Sequence, residues 1–256
     1  MLPQLAVIRR AFMALAAAVP LLTATLVALP ALAQCPAMAV QTLALAQTRA
    51  AFAAGAPLRI LAFGSSSTEG VGATWPDATY PEQLEQRLRA ALPGRNITVL
   101  NRGRGGQEVA EMLLRLRTDV LALAPTLVIW QVGANAALRG LDAREFRAKL
   151  EQGLEALRAG GIETVLMDSQ VAPQMQAAPE RLRIQAAVHA VAADRRVSIF
   201  SRTALMQGWE AQGLPNAAVI GPDGLHHTDR GYACLASALA QSILAAVQAP
   251  HASASR

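Results

Sequence analysis

Arg59-Ile-Leu-Ala-Phe-Gly-Ser-Ser-Ser-Thr-Glu-Gly70 is the stretch that decides the fold. Arg59 to Phe63 is a short apolar run with β-branched and aromatic residues, closed by Gly64, and it predicts a buried strand. Three serines, a threonine and a glycine follow within the same stretch. Small hydroxyl side chains at the carboxyl end of a buried strand sit where open α/β sheets bind their ligands. Taken alone, Ser66 could be a nucleophile, a phosphate-cradling hydroxyl or part of an ordinary polar turn. The rest of the chain has to decide.

Working outward, strand-like and helix-like segments alternate. Leu84, Leu88 and Leu92 stack at helical spacing behind Pro81, which suits a helix start, and Pro93-Gly94 stops that helix. Ile97 to Leu100 predicts a second strand, closed by Asn101-Arg-Gly-Arg-Gly-Gly106. Val109, Met112, Leu113, Leu116 and Val120 predict an amphipathic helix. Further strands follow at Thr126 to Gln131, Ile162 to Met167 and Val197 to Phe200. Helices marked by Phe146, Leu150 and Leu154 and by Ile184, Val188 and Val191 lie between them. A last helix carries Tyr232, Leu235, Leu239 and Ile243, with Thr228 as its N-cap. Near-continuous apolar strands alternating with helices imply a parallel sheet covered on both faces. The expected fold is a five-stranded, flavodoxin-like three-layer α/β sandwich, with the strand order 2-1-3-4-5 taken by analogy with such sheets. Four polar loops then converge on one edge: the serines after strand one, the glycines after strand two, Asn135 after strand three and Pro222-Asp-Gly-Leu-His-His-Thr228.

The first thirty-odd residues stand apart. Arg9 and Arg10 precede an uncharged apolar stretch that ends in Ala31-Leu32-Ala33. This is the pattern of a secretory signal peptide over residues 1–33, with one domain over 34–256 and a periplasmic or secreted location. An uncleaved membrane anchor is one alternative; a lipoprotein signal at Cys35 is another, and Gln34 argues against it, since such signals favour a small residue there. Losing Arg9 and Arg10 takes the formal charge from +5 to +3. The remaining arginines are scattered, so nothing resembles a nucleic-acid surface. Cys35 and Cys234 both follow the cleavage site, and an oxidising compartment permits a disulfide between them. Two buried thiols is the other reading. No further Cys or His stands near either at ligand spacing, so no metal is expected.

Taken together, the four loops resemble the blocks of the SGNH hydrolases, also called GDSL esterases and lipases. Phe63-Gly-Ser-Ser-Ser-Thr-Glu-Gly70 resembles the first block, Asn101-Arg-Gly-Arg-Gly-Gly106 the second, Gly133-Ala-Asn135 the third and Asp223-Gly-Leu-His226 the D-x-x-H block. The resemblance implies Ser66 as nucleophile, His226 as base and Asp223 as its carboxylate. It implies Ser66, Gly106 and Asn135 as the oxyanion hole, and no cofactor. Two positions depart from the family: Ser65 stands where Asp is usual, and Ala136 follows Asn135 where Asp is usual. Local hydrogen bonding and substrate choice are the properties these departures touch.

The chemistry is consistent without the family name. A serine hydroxyl needs a base, and of four histidines His189 and His251 read as solvated surface residues. His226 lies three residues after Asp223, and a carboxylate there can hold the imidazole tautomer. An α/β-hydrolase elbow, G-x-S-x-G, fails because Thr68 occupies the second glycine's place. No dinucleotide fingerprint follows the first strand. The reading is therefore a serine esterase for small O-acyl esters, with acetylated carbohydrate as a substrate class by analogy. A non-catalytic carbohydrate-binding module and an acyltransferase are the rivals on the same fold. Trp75 and Tyr80 are candidates for a substrate pocket, with packing at a loop-to-helix junction as the alternative. Gln170, at the end of strand four, is a further candidate to touch substrate.

Overall fold

The apolar runs become the strands of one parallel sheet. In the computed structural model of the protein, residues 35–37 and 39–249 are described; the segment read as a signal peptide and His251 lie outside them. In chain order the elements are α1 Ala46–Ala53, β1 Leu58–Gly64, α2 Ser66–Glu69, α3 Tyr80–Ala91, β2 Ile97–Gly103 and α4 Val109–Asp119. They continue with β3 Leu127–Gln131, α5 Ala134–Leu138, α6 Ala143–Ala159, β4 Glu163–Met167, α7 Pro173–Ala177, α8 Arg181–Arg195, β5 Ser198–Phe200, α9 Arg202–Ala211 and α10 Asp229–Gln248. The strand order is β2-β1-β3-β4-β5, and all neighbours run parallel.

β1 and β3 are central, and Ile60, Leu61, Ala62, Phe63 and all of β3 are buried. A strand covered on both faces has no reason to alternate polar and apolar residues, which explains the continuous runs. α10 packs against α1 and α3, and α6 packs against α4 and α8, giving the two outer layers. α10 is long and apolar enough to cross a membrane, yet Tyr232, Leu235, Leu239 and Ile243 are fully buried in the protein core. Its side chains face the core as those of a central helix do.

In this order the chain leaves β1 toward β2 on one side and returns to β3 on the other. That reversal places the carboxyl ends of β1 and β3 at the crevice where doubly wound sheets bind ligands. The loops carrying Ser66 and Asn135 leave those two strands.

The structure differs from the sequence reading in several elements. β2 runs on to Gly103, because Ala62, Phe63 and Gly64 pair with Asn101, Arg102 and Gly103. Three helices rise from stretches expected to be loops: α5, α7 and α9. α1 forms in the Ala-rich segment expected to be peripheral, with its first N–H groups held by the Glu163 carboxylate. The N-terminal segment is fastened by a disulfide from Cys35 to Cys234 on α10. Gln41 adds two bonds to the backbone of Ser201, at 2.7 and 3.0 Å.

Candidate active site

Ser66 is the first residue of α2, directly beyond β1. The first N–H groups of a helix have no partner within it. Among the described residues, no acceptor meets the backbone N–H of Ser66 or of Gly106. The nucleophile turn is fixed by a buried side chain on the neighbouring strand. Gln131 Oε1 accepts from Ser65 N–H at 2.9 Å, from the Ser65 hydroxyl at 3.0 Å and from the Thr68 hydroxyl at 3.4 Å. Ser65, where the family has Asp, thus serves loop bonding through Gln131, and Ala136 is a fully buried residue of α5.

The glycine loop after β2 is drawn against α2. Glu69 Oε2 accepts from Gly105 N–H at 2.9 Å. Gly103 has to be glycine, because a Cβ there would lie 2.0 Å from the backbone nitrogen of Glu69. From below, Arg115 holds the whole corner. It is buried, and it donates to the carbonyls of Gly64 and Arg102, each at 3.0 Å, and to Gln107 Oε1 at 2.6 Å. Its guanidinium stacks 4.4 Å from the Phe63 ring centre and pairs with Asp119 at 3.1 Å. Burial pushes the Arg115 guanidinium below its usual value, opposed by Asp119.

Asn135 lies in the first turn of α5, and its Nδ2 donates to Gln107 O at 2.7 Å. An amide nitrogen carries two hydrogens, so that bond orients the group and leaves one free. Arg139, capping α5, donates to the Gly106 carbonyl.

The acid–base loop comes from the other side. His226 Nε2 lies 2.8 Å from Ser66 Oγ, and its Nδ1 lies 2.5 Å from Asp223 Oδ2. Nδ1–H donates to the carboxylate, which leaves Nε2 to accept the serine proton. Asp223 Oδ1 also accepts from the N–H groups of Leu225 at 2.9 Å and His226 at 3.0 Å. Burial raises the Asp223 carboxyl, but the Leu225 N–H and the His226 side chain and N–H outweigh it and hold it below the usual range. Gly224 turns the loop at φ +68°, a region that favours glycine.

His227 points the other way. It is fully buried, its Nδ1 donates to Val219 O at 3.1 Å, and burial, with Arg202 adding to it, pushes it down to about 3. It is a neutral core imidazole.

Two sequence expectations are corrected by burial. Tyr80 does not line a pocket: it is fully buried, 3.2 Å from Thr68 Oγ1, and burial pushes it up to about 12. Gln170 is buried too, and both ends of its amide are used inside the protein. Its Nε2 donates to Leu225 O at 3.0 Å and its Oε1 accepts from the buried Arg202 at 2.7 Å. It therefore holds the acid–base loop from beneath and does not face substrate. His189 is a third correction. It is half-exposed, but its Nε2 lies 3.0 Å from the buried Asp168 carboxylate, so it is a paired residue. Trp75 stays a surface residue, 71% exposed, beside a hollow of about 360 Å³ next to Glu69 and Gly70.

Sequence reasoning missed Gln131, Arg115 and Arg202. Arg115 had a signal: it sits at the edge of the α4 stripe formed by Val109, Met112 and Leu116, where a charge is out of place. Gln131 and Arg202 had none. Among the described residues, no group of three or more His, Cys, Asp or Glu is placed to hold a metal ion.

The model of the non-GDSL lipase-like family matches residues 33–249. The chain belongs to that family. The match bears out the resemblance to the SGNH hydrolases. Among curated proteins, the chain is 34% identical over 116 residues to the uncharacterized lipoprotein YqeF of Bacillus subtilis (strain 168), covering 42% of this chain and 46% of that protein. It is 26% identical over 119 residues to an arylesterase of Vibrio mimicus, covering 45% of this chain and 56% of that one. The chain thus spans about half the length of these curated relatives. Among solved structures, a two-domain esterase active on acetylated mannans superposes with a TM-score of 0.69 at 20% identity, over 84% of this chain and 57% of that one. That likeness concerns the fold.

Proposed function

We propose that the protein is an exported serine esterase that hydrolyses small O-acyl esters, acetyl esters of carbohydrate among them. The single observation that carries the reading is the contact from Ser66 Oγ to His226 Nε2 at 2.8 Å, continued to Asp223 at 2.5 Å. A hydroxyl, an imidazole and a carboxylate in that line form an activated nucleophile.

In the first half-reaction Ser66 Oγ attacks the ester carbonyl carbon while His226 Nε2 takes the hydroxyl proton. The carbonyl π electrons move to oxygen, and the N–H groups of Ser66 and Gly106 and the Asn135 amide face that charge. Such donors stabilise the tetrahedral intermediate more than the substrate, which is what raises the rate. The intermediate collapses, the carbon–alkoxide bond breaks, and the alkoxide takes the proton from His226. Water then attacks the acyl-serine, with His226 again taking a proton, and the acid leaves as the Ser66 hydroxyl is restored. Asp223, an anion throughout, stabilises the imidazolium formed in each half.

The substrate class draws support from relatives: one is an arylesterase, and a structural neighbour is active on acetylated mannans. Export draws support from the Cys35–Cys234 disulfide and from a relative that is a lipoprotein. The test is a panel of 4-nitrophenyl esters of increasing acyl length, with a fluorophosphonate probe beside it. The expected outcome is fastest turnover on the shortest acyl groups and labelling at Ser66, both lost in Ser66→Ala. A folded protein that neither turns over these esters nor labels is a binding module, and the proposal fails.

A further inference from the structure

Beside His226 lies a hollow of about 590 Å³, lined by Gly72, Ala218, Pro222, Asp223, His226 and Arg230, among others. Its size is that of a small-molecule site. One group in it is unexplained. Arg230 is half-buried in the first turn of α10, its Nε is shielded from solvent, and among the described residues it has no hydrogen-bond or ion-pair partner. Shielded guanidinium nitrogens ordinarily find an acceptor.

The neighbouring carboxylates are already engaged. Asp229 accepts from Thr74 N–H at 2.8 Å and from the Thr74 hydroxyl at 2.5 Å. Asp223 is committed to His226 and to two backbone N–H groups. The hollow therefore offers one set of free donors on a wall otherwise built from small or apolar groups and two satisfied carboxylates.

The chemistry of the reaction says which half of an ester belongs there. A leaving alkoxide must take its proton from His226 Nε2, so its oxygen has to come within about 2.6–3.2 Å of that nitrogen. The oxyanion donors lie on the Ser66, Gly106 and Asn135 side. The alcohol part consequently departs on the imidazole side, where this hollow is. Charge then chooses the kind of alcohol. One guanidinium against two carboxylates gives no net positive field, so an anionic group gains little there. A neutral oxygen acceptor can take the free N–H groups without opposing either carboxylate.

We infer that this hollow is the alcohol-side subsite, and that Arg230 selects neutral, oxygen-rich alcohol parts such as a sugar ring by donating hydrogen bonds to their oxygens. The inference rests on the esterase reading above and adds the place and the residue that set selectivity. Small apolar side chains such as Ala218 and Pro222 leave room for the C–H face of a ring.

The experiment compares kcat/KM for a mono-O-acetylated methyl xylopyranoside with that for 4-nitrophenyl acetate, in the wild-type protein and in Arg230→Met and Arg230→Lys. Arg230→Met keeps the apolar stem and removes the donors. The expected result is a fall in the sugar-to-phenyl ratio of about tenfold to a hundredfold, the usual range for a charged hydrogen bond, arising in KM more than in kcat. Arg230→Lys should restore part of the ratio. A ratio unmoved in Arg230→Met, with fluorophosphonate labelling and melting temperature retained, overturns the assignment. A wild-type preference for a mono-O-acetylated methyl galacturonoside over the neutral sugar, lost in Arg230→Met, also overturns it, in favour of an anionic alcohol part. Absence of turnover on 4-nitrophenyl acetate by the wild type counts against the esterase reading itself, which separates the two failures.

Discussion

The two halves of the site are built differently. The nucleophile half stands on strand ends: Ser65, Thr68, Gln131 and Arg115 are all buried, and their hydrogen bonds close on one another and on the backbone of β1 and β2. The acid–base half is a loop. Asp223 is 45% exposed by side chain, and the loop is carried by its own turn and by Gln174 and Gln170 reaching up to the carbonyls of Asp223 and Leu225. Sites on rigid elements hold geometry, and sites on loops are set by the few bonds beneath them. Loss of the bonds that support the first half should therefore be read in stability, and loss of the bonds beneath the second in turnover.

The largest of these effects concerns the Cys35–Cys234 disulfide, which fastens the helix that follows the acid–base loop. With its ends 199 positions apart, the chain-entropy model gives up to ~5 kcal/mol. Cys35→Ser with Cys234→Ser should lower the melting temperature while kcat at a temperature where the protein is folded changes little. A large kcat loss in the folded variant would show that the bridge shapes the site.

Next in size is the amide proposed as an oxyanion donor. Asn135→Ala should reduce kcat by about 10²–10³ with KM little changed. A loss confined to KM would place the Asn135 amide on the ground-state substrate.

The two glutamines test the contrast itself. Gln131→Ala strands the Ser65 N–H and the Ser65 hydroxyl in the core, at about 1–3 kcal/mol for each unsatisfied group, and should show in denaturant melts. Gln170→Ala frees the Leu225 carbonyl that anchors the His226 loop, and should lower kcat about tenfold or more. Equal stability losses with equal turnover would erase the distinction between the halves.

The smallest effect is a pH dependence away from the site. The Asp168 carboxylate raises the His189 value, with burial opposing. A raised folded value means this pair stabilises the protein fully below the ordinary histidine value near ~6.5 and loses that contribution as pH rises through the folded value. His189 is 42% exposed, so the effect should stay under about 1 kcal/mol. His189→Gln should flatten stability against pH between about pH 6 and 8. An unchanged slope would assign the dependence to another group.

What was legible in the sequence cuts across the two halves. Ser66, Gly106, Asn135, Asp223 and His226 stand at strand ends or in a Gly-Pro loop, where residue type and local spacing carry information. The number of strands was legible from the apolar runs, whereas their order came from analogy with flavodoxin-like sheets, a choice narrowed because doubly wound sheets leave few topologies. Gln131, Gln170, Arg115 and Arg202 were not, because their partners lie far off in the chain: Gln131 meets Ser65 across 66 positions and Gln170 meets Leu225 across 55. Tyr80 was misplaced because an aromatic residue at a loop-to-helix junction reads the same whether it faces solvent or core. α1 lacked a clear apolar period and was fixed by tertiary bonds, its first N–H groups donating to the Glu163 carboxylate.

The central claim is that Ser66 and His226 act as one unit across the two halves. Its most direct test is kcat/KM on 4-nitrophenyl acetate for Ser66→Ala, His226→Ala and the double variant. Each single variant should lose several orders of magnitude, and the double should lose little more than either, because a nucleophile and its base fail together. Losses that multiply in the double variant, or a His226→Ala protein that keeps most of its turnover, would contradict the account.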